Sequence, residues 1–501
     1  MSDSRGGEAA GDSAINDGEP DQGQLAQRST SHRLPRLWVR LRCDPRVPLA
    51  VLGLVSVASL IARVLYLNEP TGNPPGLIFD EKYYVNAARR LLGFPVPCAN
   101  GVCDPYSDIA AGTDGNAEHP PLGKLLIAAG MKVFGNTQLG WRIAPLIFGS
   151  IAILAVYWLV RSAGGSGWLS VGAASLMAVD NLSFVHGRIA TLDVFVVVFM
   201  MVAVALYLRG HPIYAGAVLG LGCCVKLVAP FAFIVLVLVE MVRILSRREW
   251  RVARMGQILE HRLVPLLYCA AVGLVVYLAV LTGLDVWVRP FHNPADSCPG
   301  SGNTYSNALV HTRFMLCYAD KLTNPNGAVG IASYPWQWLV GPWEWLVGGN
   351  YSVDNSFDTW KWINYYSVEA NGNDKVHFIG VISPAIIFLA VPAFILAVRS
   401  AVVRHDDVSV LAVCWCLATF MPFVLASWLQ HRISYLYYMV VVLPGIYVAV
   451  ALLVASTVRW LRRRRSRVLR RFAPATVVVL WVLGLAAGFY FLYPVRTWTG
   501  G

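Results

Sequence analysis

A chain of 501 residues with 56% hydrophobic and only 14% charged side chains, at a mean hydropathy of +0.53, excludes a soluble globular protein, in which about a quarter of residues carry charge. Its formal charge of +12 sits largely in arginine clusters beside apolar runs, which points to anchoring against anionic lipid and not to nucleic-acid binding. The expected fold class is an all-α polytopic membrane protein.

Residues 1–32 are rich in Gly, Ser, Asp, Glu and Gln, too polar to order themselves. The chain up to residue 47 reads as a disordered cytoplasmic tail and residues 48–501 as one integral membrane domain. Apolar runs long enough to be spans fall at about 48–68, 141–161, 167–181, 191–208, 212–224, 226–244, 263–284, 377–398, 408–428, 435–457 and 474–493, about eleven in all. The first starts too far from the N-terminus and lacks the small-residue site of a removable signal peptide, so it is expected to remain as an anchor. Arginine clusters at 33–46, 243–254 and 459–471 fall on one side with this count. By the positive-inside rule the N-terminus is cytoplasmic and the C-terminus external. Two large loops, about 69–140 and 285–376, then face outward.

The first loop carries Phe79-Asp80-Glu81, leading into a predicted helix from Lys82 to Arg90. An acidic pair there reads either as a helix cap or as a catalytic pair. Cys98 and Cys103 in this loop, and Cys298 and Cys317 in the second, would be permitted two local disulfides in an oxidising compartment, although spacing alone does not establish that their Cα atoms are close. Cys223, Cys224, Cys269, Cys414 and Cys416 lie in apolar runs and read as small core residues. Farther along, His119-Pro120-Pro121-Leu122-Gly123-Lys124 predicts a proline-started helix over 122–134. Its pattern suggests an amphipathic helix in the membrane interface, with Lys124 snorkelling or meeting a lipid phosphate.

Charges next to apolar runs are costly and therefore informative. Arg142 opens the second run, and Arg188 and Asp193 bracket the start of the fourth, where they read equally as a structural ion pair or as substrate ligands. Lys226 sits between two apolar half-segments and suits an anionic ligand, and His431-Arg432 opens the tenth run. The second loop is aromatic, with Trp336, Trp338, Trp343, Trp345, Trp360 and Trp362. It reads as an interfacial belt and loop core, or as a stacking wall for a sugar or a gate over an acceptor groove. No GxxxxGK[ST] nucleotide loop and no clustered Cys/His metal signature occurs.

Phe-Asp-Glu-Lys-Tyr-Tyr at 79–84, His-Pro-Pro-Leu-Gly-Lys at 119–124, Gly-Trp-Arg at 140–142, Arg-Ile-Ala-Thr-Leu-Asp at 188–193, Val-Lys at 225–226, Ser-Tyr-Pro-Trp-Gln-Trp at 333–338 and His-Arg-Ile-Ser-Tyr-Leu-Tyr-Tyr at 431–438, in this order, resemble the protein O-mannosyltransferases. These are GT-C membrane glycosyltransferases, and the actinobacterial members are the nearest likeness. The resemblance covers most of the chain after about residue 50. It implies transfer of mannose, with inversion, from polyprenyl-phosphate-mannose to Ser or Thr hydroxyls of exported proteins at the outer face of the plasma membrane. Asp80 matches the family's catalytic acidic residue, Glu81 its essential neighbour and Arg142 an arginine important for activity.

On that reading Asp80 is the general base, and Glu81 orients the acceptor backbone or the sugar. His119, Lys124, Arg188, Asp193, Lys226, His431 and Arg432 are candidates for substrate and lipid-phosphate binding, while Arg142 either joins them or orders the Asp80 loop. No metal and no cofactor beyond the lipid donor is expected. The partners are membrane lipid, the donor, a secreted polypeptide and, as a candidate, the secretion channel. The sequence departs from the family in three places. The second loop is too short for the trefoil domain of eukaryotic members, Gly380-Val381-Ile382-Ser383-Pro384-Ala385 replaces a Gly-Asn-Pro motif, and the insert from Cys98 to Asp114 is long. The alternatives are a GT-C transferase acting on a cell-wall glycan or glycolipid, and a multispanning transporter, for which internal repeats would be expected.

Overall fold

The computed structural model describes residues 44–70, 76–99, 101–246, 255–299, 302, 307–325, 327–328, 331–346, 364–369 and 375–493. All but the last few residues of the expected N-terminal tail lie outside them. In chain order the helices are α1 (Arg46–Val64), α2 (Glu81–Leu92), α3 (Leu122–Phe134), α4 (Gln138–Ser162), α5 (Gly167–Val179), α6 (Asn181–His186), α7 (Asp193–Leu208), α8 (Pro212–Cys223), α9 (Phe231–Ser246), α10 (Val264–Val288), α11 (Ala308–Lys321), α12 (Pro335–Leu346), α13 (Pro384–Arg404), α14 (Asp407–Gln430), α15 (Met439–Arg462) and α16 (Arg467–Leu492). Two antiparallel hairpins accompany them, β1 (Cys98–Ala99) with β2 (Val102–Cys103) and β3 (Asn364–Glu369) with β4 (Lys375–Gly380), the latter pairing Asn364 with Gly380 and Glu369 with Lys375.

Each apolar run read from the sequence lies on a helix, but the helices differ in length. Among the described residues seven are long and apolar enough to cross a membrane, namely α1, α4, α10 with the π turn Leu259–Leu263 before it, α13, α14, α15 and α16. The helices α5, α7 and α8 are apolar but shorter, and α9 has 16 residues. Short helices are tolerated at membrane depth where other protein segments satisfy their exposed backbone ends, and α7 meets this condition. Nearly every residue from Asp193 to Tyr207 is buried against α4, α8, α9 and α15.

Apolar side chains are distributed as in a bilayer protein. The interior is built from α7 and α15, which are apolar on all faces and buried, the latter continuously from Met439 to Leu452. The peripheral helices expose large apolar residues instead, including Leu54 on α1, Val275 on α10 and Leu480 on α16. Contiguous apolar surface of this extent would aggregate in water and is solvated by lipid tails.

A buried polar knot locks the interior. Asp180, which caps α6, accepts hydrogen bonds from Ser383 N at 2.7 Å and from the Tyr447 hydroxyl at 2.9 Å. Asn181 N donates to Ser383 Oγ at 3.0 Å, and the Asn181 side-chain oxygen accepts from Val381 N at 3.0 Å. The Val381–Ser383 departure from the family motif is thus itself part of the fold's framework.

Both candidate disulfides form. Cys98–Cys103 closes the β1–β2 hairpin, and Cys298–Cys317 ties the start of the second loop to α11, with Cα–Cα distances of 4.0 and 5.9 Å. The five cysteines read as core residues carry free thiols, four of them buried and Cys223 half-buried.

Removing the acceptor at the centre of the knot strands several buried donors, each at a cost of about 1–3 kcal/mol. Asp180→Ala is therefore expected to lower the thermal unfolding midpoint of the detergent-solubilised protein markedly. Asp180→Asn, which keeps an acceptor oxygen, should lower it less in the same melt.

Candidate active site

The site lies within residues 51–501 and is assembled from four pieces of chain. The first is the turn before α2. Phe79 has φ +54°, a left-handed conformation that a bulky residue adopts only where its surroundings impose it. Its ring packs edge-on against Tyr437, with centroids 5.2 Å apart. This turn places Asp80 immediately before α2, yet the Asp80 side chain makes no capping hydrogen bond. The carboxyl lines a cavity of about 670 Å³ instead, so the helix-cap reading fails for Asp80.

Glu81 faces the opposite way and is fully buried. Its carboxylate takes a two-pronged ion pair from Arg142, with Nε to Oε1 at 2.8 Å and Nη2 to Oε2 at 2.7 Å. It also accepts from Ile78 N at 2.8 Å and Ala190 N at 2.9 Å. Arg142 spends its remaining reach on the carbonyls of Leu67, at 2.7 Å, and Glu69, at 2.5 Å. Neither residue lines the cavity. The expected contact of Glu81 with acceptor or sugar is replaced by contacts with protein, and of the two roles open to Arg142 the geometry realises the ordering of the Asp80 loop.

The second piece is the His119-Pro120-Pro121 corner. The helix predicted over 122–134 forms as α3, but its inward face carries Gly123, Lys124, Ile127, Ala128, Gly130 and Met131. Lys124 is fully buried, pairs with Asp114 at 2.5 Å and donates to the carbonyls of Asn116 and His119. The snorkelling and phosphate readings of Lys124 are both displaced. Periodicity suggested an exposed lysine because the partner, Asp114, lies in the preceding insert and not on the helix. His119 lines the cavity. Burial first, then Lys226, Lys124 and Arg432, hold its imidazole well below the usual histidine range, so it faces the cavity as a neutral group.

The third piece is the turn after α8. Lys226 lines the cavity, pairs with Asp193 at 2.8 Å, and its ammonium stands 5.2 Å from the ring centroids of both Tyr437 and Tyr438. The expected Arg188–Asp193 pair is not formed. Arg188 donates to the carbonyls of Leu65 and Tyr66, at 3.0 and 2.9 Å, away from the cavity. Asp193 opens α7, whose first turn faces the Lys226 hairpin. A backbone bond from Leu122 N to Cys224 O at 3.0 Å fixes the hairpin against the start of α3.

The fourth piece is the segment after α14. The second loop clamps it with bridges from Thr323 to Arg432 and from Ser333 to Ser434. Arg432 lines the cavity, as do Tyr435, Tyr437 and Tyr438, and its Nε has no partner among the described residues. His431, in a left-handed C-cap with φ +52°, is exposed and outside the lining.

Among the described residues no tryptophan lines the cavity. Trp338 is buried, donates to Ser333 Oγ at 2.7 Å and packs near Phe420 and Phe423, while Trp336 stacks on Tyr334 and Trp343 meets Phe388. The Trp345 side chain and all of Trp360 and Trp362 lie outside the described residues. Tyrosines supply the aromatic lining, with Tyr83, Tyr84, Tyr106 and Tyr318 joining those after α14. Sequence reading passed over Glu118, Asn116 and Tyr106. The signal for Glu118 was a lone acid directly before the His-Pro-Pro motif. Leu227, Val228, Phe231, Pro422, Phe423 and Ala426 form an apolar stretch of wall in the same cavity as Lys226 and Arg432.

Asp80 is strongly perturbed by its surroundings. Burial pushes its carboxyl up to about 7, Lys226 lowers it, Asp193 raises it, and the Tyr437 hydroxyl and Lys82 draw it down. A carboxyl poised there can take up or release a proton near neutrality.

Residues 132–288 match the family model described as dolichyl-phosphate-mannose-protein mannosyltransferase. A polyprenol-phosphate-mannose–protein mannosyltransferase of Mycolicibacterium smegmatis is 27% identical over 495 residues, covering 89% of both chains. Over these stretches the chain is similar to protein mannosyltransferases. A relative of the same name from Corynebacterium glutamicum is 34% identical over 163 residues, 32% of this chain and 29% of its own. Among solved structures, the S. cerevisiae protein O-mannosyltransferase Pmt1–Pmt2 complex bound to the sugar donor superposes with a TM-score of 0.61 over 89% of each chain at 12% identity. At that identity the likeness shows the shared GT-C fold.

The two acids of this turn should separate in a stability assay. Glu81→Ala leaves the Arg142 guanidinium buried without its counter-charge, a loss of about 3–5 kcal/mol, and should lower the melting midpoint in detergent. Asp80→Asn, which breaks no cap, is expected to melt like the parent protein.

Proposed function

We propose that the protein transfers mannose from polyprenyl-phosphate-mannose to Ser or Thr hydroxyls of exported polypeptides. The observation that carries this reading is one cavity holding an uncapped carboxyl, Asp80, together with cations that include Lys226 and Arg432, and an apolar wall. A lipid-phosphate sugar needs these three surfaces. The apolar wall accepts the first isoprene units, the cations meet the phosphate, and the carboxyl serves the reacting hydroxyl.

The acceptor oxygen attacks the anomeric carbon from the face opposite the phosphate, so the configuration inverts. The bond from that carbon to the phosphate oxygen breaks, and its electron pair leaves with the lipid phosphate. The acceptor proton passes to Asp80. General-base assistance of this kind contributes about 10²–10⁴ in rate. Negative charge developing on the phosphate is met by the Lys226 ammonium and the Arg432 guanidinium. Asp193 holds Lys226, and neutral His119 adds a hydrogen-bonding group without competing for the anion. No cofactor enters this scheme.

The site is read as external, in the plasma membrane, with the N-terminus cytoplasmic. Two features support that orientation. The arginine clusters assign the opposite side to the cytoplasm, and the disulfides Cys98–Cys103 and Cys298–Cys317 occur in the two loops that build the site, where an oxidising compartment permits them. An acceptor chain would meet the site there while still extended, beside the secretion channel.

Membranes containing the protein, supplied with radiolabelled polyprenyl-phosphate-mannose and a Ser/Thr-rich peptide, should label the peptide. Asp80→Asn should reduce that label by at least about a hundredfold. Label appearing in glycan or lipid and not in peptide would give the acceptor role to the other GT-C reading, and no transfer from any sugar donor would remove the enzyme reading altogether.

The pH dependence follows from the raised carboxyl. A base works only when ionised, and Asp80 is ionised above about 7. The acidic limb of the kcat/KM profile should therefore fall through a midpoint near pH 7, well above that of an ordinary aspartate. A flat profile from pH 5 to 8 would contradict the assignment of Asp80 as base.

A further inference from the structure

A second carboxyl faces the same cavity. Glu118 lies on its wall with Tyr106, Asn116 and Tyr318. Asn116 Nδ2 donates to Glu118 Oε2 at 2.8 Å and contacts the Tyr106 hydroxyl at 2.9 Å. The cation nearest in sequence, Lys124, makes its ion pair with Asp114, so Glu118 is left among hydroxyls and an amide. Asn116 is 5% exposed, and its side-chain oxygen has no donor among the described residues. Buried polar atoms rarely lack a partner, and this one belongs to a cavity-lining residue.

The chemistry of this patch selects its ligand class. A carboxyl oxygen and an amide oxygen both accept hydrogen bonds, which repels a phosphate and suits a group that donates. Phenol hydroxyls can donate or accept, and tyrosine ring faces accommodate the C–H face of a sugar. Burial pushes the Glu118 carboxyl up to about 7, so it carries less than a full charge near neutrality and suits an uncharged ligand. A polypeptide must leave the cavity at two ends, whereas a hexose can end against this half-buried wall. Tyr84, whose ring lies 5.9 Å from that of His119, lines the cavity together with both Asp80 and this patch.

We propose that Glu118, with Asn116 and Tyr106, hydrogen-bonds the hydroxyl groups of the sugar being transferred and makes the site selective for a neutral hexose. This rests on the reading of the site as one for a lipid-phosphate sugar. It divides the cavity into a phosphate region at Lys226 and Arg432 and a sugar region at Glu118, with Asp80 as the base where the two meet.

The test compares binding of polyprenyl phosphate and of polyprenyl-phosphate-mannose to the full-length protein in detergent, for the parent, Glu118→Ala and Glu118→Gln. The parent is expected to prefer the sugar-bearing lipid. Glu118→Ala should weaken that lipid by about tenfold or more and leave bare polyprenyl phosphate unchanged. Glu118→Gln, which keeps an acceptor for Asn116, should retain part of the preference and controls for misfolding. Equal weakening of both lipids, no preference in the parent, or a raised KM for peptide with lipid preference intact would each overturn the proposal. The functional reading fails separately. A parent that prefers the sugar-bearing lipid but labels no peptide loses the proposed acceptor and keeps the Glu118 assignment, while a parent that labels peptide with Glu118→Ala still preferring the sugar-bearing lipid shows the reverse.

Discussion

The buried ion pair between Glu81 and Arg142 is the contact on which the site depends. It joins α2 to α4, and through Ala190 N and the carbonyls of Leu67 and Glu69 it also ties in the segment before α7 and the end of the chain leaving α1. Burying two charges is favourable only when the remaining hydrogen-bonding capacity is met. Here both carboxylate oxygens have two donors each, from the guanidinium and the backbone. Such a pair contributes less to net stability than to uniqueness, because any shifted register of α2 would leave a charge stranded. What it fixes is the direction of the neighbouring residue. With Glu81 held inward toward α4, Asp80 is turned into the cavity.

The same logic recurs at the other ion pairs of the site. Lys124 with Asp114 holds the loop before the proline corner, and Lys226 with Asp193 holds the turn after α8. Of the three pairs only the last has a member on the cavity wall, so the cations divide into framework groups and a group placed to meet a ligand. The buried cations Lys124, Arg142 and Arg188 are spent on backbone carbonyls and loop geometry. A small number of ionisable groups, Asp80, Glu118, Lys226 and Arg432 among them, face the cavity.

Much of this was legible in the sequence and some was not, for physical reasons. Composition and apolar runs located the helices, and the two prolines at 120–121 marked the start of α3, because proline at a helix start is a local property. The candidate residues of the first loop were identifiable by type. Their partners were not. Arg188 and Asp193 are five residues apart and invite pairing, yet the chain turns between them, and Asp193 meets a lysine 33 positions away. Lys124 looked solvent-facing on a helical wheel because its counter-ion comes from an irregular insert without periodicity. The length of α7 and α8, shorter than a crossing, is explained by their burial inside the bundle and could not be inferred from hydropathy alone.

Where α3 meets α4, the spacing is set by residues without side chains. A methyl group on Gly130 would collide with the carbonyl oxygen of Gly140 and with Ile143, and one on Gly140 would collide with the Gly135 carbonyl. Helix α3 carries Lys124 and helix α4 carries Arg142, so the two glycines govern how near the loop before α3 and the turn before α2 can come. A mutational survey scored by activity would rank Gly130 and Gly140 with the ionisable residues, although neither has a group that can touch substrate. In this fold, tolerance to substitution reports the thickness of a helix contact as much as it reports chemistry.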